Sequence, residues 1–240
     1  MAIPKIDYPT YEIKLPSDNK TIVVRPFSVK EEKLLLMALE ANNLDDVIKT
    51  VKQVINNCVI TGDVNVDRLP FFDIDYLFIF LRAKSIGENV DVTLTCNNVL
   101  EDETVCGNVF PTKMDVTNIE IERPEGIDDD IKLTDVAGVK MKYPNYATMK
   151  RIEETDMDVK TNMIANAIDY IWDEQGKHSA KESSKEELIE FVESLTENNY
   201  KKLQDFVDNT PKFVVKLDAK CPKCGFDHKV RYSDFYDFFF

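Results

Sequence analysis

Two pairs of cysteines, far apart in the chain, constrain this sequence most. Cys96 and Cys106 lie in LTCNNVLEDETVCGNVF, and Cys221 and Cys224 lie in AKCPKCGFDHKV. Each pair follows a strand-like run, and the second cysteine of each is followed by glycine. The run Cys221-Pro222-Lys223-Cys224-Gly225 reads as a metal knuckle. Its short spacing aims two thiolates at one ion, and Gly225 permits the positive φ that the tight turn needs. Four thiolates suit tetrahedral zinc, and a closed four-cysteine shell leaves no open position for a substrate. The expectation is a structural zinc held by Cys96, Cys106, Cys221 and Cys224, stapling two distant parts of the chain.

Other readings compete with zinc. Cys96 and Cys106 could form a disulfide across a hairpin, or stay free. The N-terminal stretch MAIPKIDYPTYEIKLP lacks an apolar core of signal length, which points to a reducing compartment and favours metal over disulfide. Nine residues separate Cys96 from Cys106, so this pair is the less knuckle-like half. His228, four residues after Cys224, could replace one cysteine ligand or be an ordinary strand residue. Cys58 behaves differently. It continues the apolar stripe Leu44, Val47, Ile48, Val51, Val54 and Ile55, which has helical spacing, and reads as a buried structural thiol.

Charge narrows the function classes. The chain carries 30 basic against 44 acidic residues, a net charge of −14. Such a field repels phosphate backbones, so nucleic-acid binding is not the first expectation, while a basic partner surface would suit it. No apolar run approaches a membrane span: the longest, Ile74 to Leu81, is broken by Asp75 and ends at Arg82. The chain has no Gly-rich phosphate loop, no dinucleotide fingerprint, no nucleophile elbow and no zinc-protease motif. His178 and His228 lack an evident catalytic partner. The acid pairs Glu153-Glu154 and Glu186-Glu187 fall on predicted helix surfaces, and Asp128-Asp129-Asp130 reads as a solvated turn rather than a calcium loop. Enzymatic activity is not expected.

The hydrophobic pattern divides the chain into stretches of helix and strand. Residues 11–25 read as a hairpin that turns at Pro16-Ser17-Asp18-Asn19. Ser28 with Glu31 forms a capping box that opens a helix to about Glu40. A second helix covers about Leu44 to Asn57. Asp73 can cap a third, through about Ser85, which is apolar nearly all round and so expected at the core. Strands are expected at Val90–Leu94, Val109–Val116, Glu120–Glu122, Ile131–Leu133 and Val139–Lys142. Helices return at Tyr146–Glu154 and over Val159, Met163, Ala167, Ile168 and Ile171, ending at Trp172. Asp173–Ser184 reads as a polar loop. Ser184 with Glu187 caps another helix, and Thr196 caps the next, which Pro211 stops. Phe213–Leu217 and Lys229–Tyr232 are strands flanking the knuckle.

The predicted class is α+β: helical bundle elements, an N-terminal hairpin, and a discontinuous zinc-ribbon-like β region at about 88–142 plus 212–233. Three parts follow, separate or within one compact domain. They are 1–87 (hairpin and helices), 88–142 with 212–240 (β lobe), and 143–211 (helical insertion). The chain ends in Phe235, Tyr236, Phe238, Phe239 and Phe240. Aromatic side chains dominate interface energetics, so this ending is a candidate partner-binding segment. It could equally latch onto its own domain.

The blocks LPSDNKTIVVRPFSVKEEKLLLMALEA, FDIDYLFIFLRAKSIGENV, VKMKYPNYATM and CPKCGFDHKVRYSDFYDFFF, in this order, resemble the T4-type baseplate hub family of contractile-tailed bacteriophages. The resemblance implies a non-enzymatic protein of the tail baseplate, a hub subunit or a hub-assembly chaperone. It implies partners among the hub, spike and tape-measure proteins, and a location in the host cytoplasm during assembly and in the virion baseplate. It supplies no catalytic residue. A reading of another class is a zinc-ribbon adaptor for nucleic acid or a polymerase, to which Lys220, Lys223, Lys229 and Arg231 around the knuckle lend local support.

Overall fold

The computed structural model describes residues 7–41, 43–61, 64–148, 158–233 and 238. The chain is mixed α+β and separates into two compact units. The first comprises residues 1–66, 72–122 and 212–240, and the second 67–71 and 123–211.

The first unit opens on a hairpin, β1 (Tyr11–Lys14) and β2 (Thr21–Val24), paired antiparallel with Ile13 opposite Ile22. Both of these isoleucines are buried, as the alternation requires. Asn19 takes a positive φ of 60° in the turn, a conformation its short amide side chain tolerates. Helix α1 (Val29–Glu40) starts at the Ser28–Glu31 capping box. Helix α2 (Leu44–Cys58) is capped by Asn43, whose side chain accepts the Asp46 N–H, and it buries Val47, Val51, Val54, Ile55 and Cys58 on one stripe. Burial pushes the Cys58 thiol up to about 12, as a structural thiol in an apolar core should behave.

Helix α3 (Phe71–Ser85) buries Phe72, Leu77, Phe78, Ile79 and Leu81, so apolar residues all round the helix do mark a core element. Its N-terminus differs from expectation. The helix begins at Phe71, and Asp73 lies inside the first turn, fully buried. Its carboxylate there accepts the backbone N–H of Ser17 at 3.0 Å and the Ser17 hydroxyl. The hairpin turn takes up the acceptor that a free helix would have used as a cap.

Strands β3 (Asn89–Thr95) and β4 (Val109–Asp115) form a two-stranded antiparallel ribbon. Buried Val90 faces buried Met114, and Leu94 faces Phe110, so the two apolar faces coincide in register. Strand β5 (Ile119–Glu122) pairs with β10 (Lys212–Lys220), which pairs on its other side with β11 (Asp227–Tyr232).

The second unit is built on a four-stranded antiparallel sheet of β6 (Asp130–Lys132), β7 (Gly138–Met141), β8 (Ile168–Asp173) and β9 (Gly176–Ser179). Helices α4 (Val159–Ala167), α5 (Lys185–Glu193) and α6 (Glu197–Asp208) pack on it. Ile131, Val139 and Met141 of the sheet share a core with Ile164, Ile168, Ile189, Val192, Leu203 and Phe206. The caps at Ser184–Glu187 and Thr196 form as the sequence predicts.

Two expectations here are corrected. The helix expected to run on through Ile168, Ile171 and Trp172 stops at Ala167, and the next residues are β8. Asp173–Ser184, expected as loop, carries β9, reached through a turn in which the Asp173 carboxylate accepts the N–H groups of Gln175 and Gly176. The run Ile-Asp-Tyr-Ile-Trp is β-branched and aromatic, and it pairs along β7, which local helical spacing could not reveal. The helix expected at Tyr146–Glu154 falls largely outside the described residues.

Candidate metal centre

Each half of the site is a strand end that turns. Strand β3 delivers Cys96 directly after Thr95, and β10 delivers Cys221 directly after Lys220. The Cys221–Gly225 turn closes with the Gly225 N–H on the Cys221 carbonyl at 2.9 Å and the Cys221 N–H on the Phe226 carbonyl at 2.9 Å. Gly225 sits at φ 76°, the left-handed conformation anticipated for it. Gly107, after Cys106, has φ 59° and plays the same part in the other half.

The nine residues between Cys96 and Cys106 form a small hairpin of their own. Val99 and Val105 make a β-bridge, and the Leu100 N–H donates to the Thr104 carbonyl at 2.8 Å. The Asp102 carboxylate accepts both the N–H and the hydroxyl of Thr104 across the tip. The wide spacing is thereby folded away, and Cys96 and Cys106 meet at its base, where the Gly107 N–H donates to the Cys96 carbonyl at 3.0 Å.

All four sulfurs converge. Sγ of Cys96 lies 3.6 Å from that of Cys224, Sγ of Cys106 lies 4.0 Å from that of Cys221, and all four are within 4.8 Å of one another. A zinc–sulfur bond of about 2.3 Å places tetrahedral sulfurs about 3.8 Å apart, so the set fits one ion of that size. No disulfide links them, and Cys96, Cys106 and Cys221 are buried. Electrostatics is uneven across the cluster. Burial opposes the thiolate at Cys221, but the backbone N–H groups of Cys224 and Lys223 point at its sulfur and hold its pKa down. Burial raises the pKa of Cys96, against a single backbone N–H from Asn98.

His228 is not part of the cluster. It sits on β11 opposite Ala219, buried, with its ring tilted against Phe110 and edge-on to Phe226. Its Nε2 is buried with no hydrogen-bond partner among the described residues. Of the four cations around the knuckle, Lys223 Nζ donates to the Cys106 carbonyl at 3.2 Å, and Arg231 pairs with Glu122. Those two charges are engaged within the unit.

Two other candidates among the described residues make contacts within the second unit. His178 bonds to Asp173 beside the β8–β9 turn. In the Asp128–Asp130 turn, Asp129 pairs with Lys140, Asp130 accepts the Trp172 indole N–H at 2.9 Å, and Asp128 accepts the Asp130 N–H. Among the aromatic residues of the ending, Phe238 is described and fully buried. Its ring packs edge-on against Phe213 and Tyr232, and its carbonyl accepts Arg82 Nε at 2.9 Å. Phe235, Tyr236, Phe239 and Phe240 lie outside the described residues. Among the described residues, no helix is long and apolar enough to cross a membrane.

Sequence reasoning had no means of finding two further residues of the site. Asn98 Nδ2 lies 3.8 Å from Cys224 Sγ, and Asn108 Nδ2 lies 3.6 Å from Cys221 Sγ. The signal available was a repeated Cys-x-Asn, which carries meaning only once the two pairs are known to meet.

Fold and site together define a two-unit α+β protein with an intramolecular four-cysteine centre. A family model described as T4 bacteriophage base plate protein matches residues 8–240. The chain therefore belongs to the T4 bacteriophage base plate protein family. No curated protein matches it, and no solved structure does.

Proposed function

We propose that this chain is a non-enzymatic baseplate hub subunit or hub-assembly factor that binds other hub, spike or tape-measure proteins. It works in the host cytoplasm during assembly and in the tail baseplate. The observation that carries this reading is the convergence of four cysteine sulfurs in a chain whose family match covers residues 8–240. Four protein ligands would complete the shell of a zinc ion, which would then supply a fixed tetrahedral link between the chain segments rather than a reaction centre. Cys96 and Cys106 would hold it from the hairpin, and Cys221 and Cys224 from the knuckle.

The binding surface we propose is the aromatic ending, with Phe235, Tyr236, Phe239 and Phe240 as the partner contacts and buried Phe238 as their anchor. The net charge of −14 would favour a basic partner face and disfavour nucleic acid. The experiment is affinity recovery of the tagged chain from phage-infected cells, with the proteins identified by mass spectrometry and the metal by elemental analysis. Baseplate hub proteins and one zinc per chain are expected. Recovery without any baseplate protein overturns the functional reading, and recovery without metal overturns the zinc.

A further inference from the structure

We propose that Asn98 and Asn108 are positioning residues that lock the two cysteine pairs around the bound ion, each by donating its side-chain amide to a sulfur of the Cys221–Cys224 knuckle. The inference rests on the four-thiolate reading above and extends it to the groups surrounding the sulfurs.

The Cys96–Asn108 hairpin uses one unit twice: Cys96-Asn97-Asn98 and Cys106-Gly107-Asn108. Its backbone bonds are reciprocal. The Cys96 N–H donates to the Asn108 carbonyl at 2.8 Å, and the Cys106 N–H donates to the Asn98 carbonyl at 2.8 Å. Each cysteine is thus held opposite the asparagine that follows its partner. This near-symmetric frame turns both hairpin sulfurs toward the other pair and carries both asparagine amides to it. Asn98 reaches Cys224 Sγ at 3.8 Å and Asn108 reaches Cys221 Sγ at 3.6 Å. Sulfur is a large, diffuse acceptor, so bonds to it are longer than those to oxygen.

The chemistry gives these donors a task. Four thiolates around one divalent cation leave a net charge of about −2 on a buried group, inside a chain that is already strongly acidic. Hydrogen bonds to a charged acceptor disperse that charge and fix the direction of its lone pairs. The knuckle supplies Cys221 with backbone N–H groups of its own, from Lys223 and Cys224. The asparagine amides differ from those in crossing from one chain segment to the other. Lys223 Nζ also crosses, but it ends on the Cys106 carbonyl and not on a sulfur. When one sulfur transiently leaves the ion, the amides keep the opposite segment in place for it to rebind.

The test uses the full-length chain loaded with zinc, and separately with cobalt. Metal stoichiometry is measured first on the wild type, then the rate of zinc transfer to a chromogenic chelator in excess. One ion per chain is expected in the wild type. Asn98→Ala and Asn108→Ala should each bind one ion but release it about 10–100-fold faster. The sulfur-to-cobalt charge-transfer band should move to lower energy, because a thiolate without its N–H donor gives up charge more readily. A purely structural role would leave that band in place. Should the alanine variants fail to fold, the uncharged and near-isosteric Asn98→Leu and Asn108→Leu, which keep the volume and lose the donor, decide the matter on the same rate and band. Wild-type release rates with an unshifted band overturn the assignment of the asparagines while leaving the metal centre intact. A wild type that binds no ion overturns the centre itself and the assignment with it.

Discussion

Sγ of Cys96 lies 3.6 Å from Sγ of Cys224, a residue 128 positions further along the chain. No local preference brings such residues together, and closing a loop of that length has an entropic cost that something in the folded state must offset. A shared ion would do so, because it binds the assembled site and not the unfolded chain. Removal of metal with a strong chelator, or Cys221→Ser, is therefore expected to lower the melting temperature by on the order of 10 °C or more. Calorimetry of loaded and stripped protein checks this. An identical melting temperature before and after chelation would refute it.

The Arg25–Glu31 pair predicts a defined acid sensitivity. Arg25 reaches both carboxylate oxygens of Glu31, at 2.8 and 3.1 Å, and the Ser28 N–H donates to the same carboxylate at 2.6 Å. Burial pushes this carboxyl up, but the donors prevail and hold it at about 2, against an ordinary value of 4.5. A depressed folded-state pKa contributes stability above the unfolded value and loses it as pH falls through the folded one. Wild type should exceed Glu31→Gln by on the order of 2 kcal/mol at neutral pH, allowing for solvent screening at Arg25. The gap should narrow from about pH 4.5 and close near pH 2. Urea titrations of both proteins across that range measure it.

Gly138 should tolerate no side chain. A Cβ there would lie 2.6 Å from Cε2 of Trp172, its partner on β8, and 2.7 Å from the Ile131 carbonyl. Gly138→Ala should cost about 1–3 kcal/mol through overpacking. Adding Trp172→Leu should recover part of that loss, since the ring supplies much of the clash. A thermal-melt double-mutant cycle reads the coupling, and additive losses would contradict it.

Phe238 is expected to matter for stability as well as for any partner. With its side chain fully buried on Phe213 and Tyr232, Phe238→Ala should cost about 3–5 kcal/mol. Arg82→Leu should cost about 1–3 kcal/mol by leaving the carbonyls of Phe238 and Gly87 without their donor. Partner binding is best tested with Phe238 kept and Phe235, Tyr236, Phe239 and Phe240 changed to serine. Loss of hub-protein recovery from a chain with wild-type stability supports the tail as the contact, and full recovery removes it.

Much of this protein is local enough to read from its residues alone. The caps at Ser28–Glu31, Ser184–Glu187 and Thr196 depend on contacts three residues apart, and the α2 stripe on helical period, so both appear in the sequence as they do in space. The knuckle is equally local: two cysteines three positions apart, followed by a glycine, set its geometry. The α+β class was legible for the same reason, whereas the meeting of the two cysteine pairs was expected from the ligand chemistry of four thiolates and not from any local preference. Tertiary structure decided what depends on distant partners. Ile168–Trp172 became a strand because β7 offers it a pairing edge, the buried Asp73 carboxylate took up the N–H and hydroxyl of Ser17 from the hairpin turn, and Asn98 and Asn108 reached sulfurs only because two segments over 100 residues apart were folded against each other. Short-range preferences are set by neighbours in the chain, whereas hydrogen-bond partners across it exist only after the fold has formed.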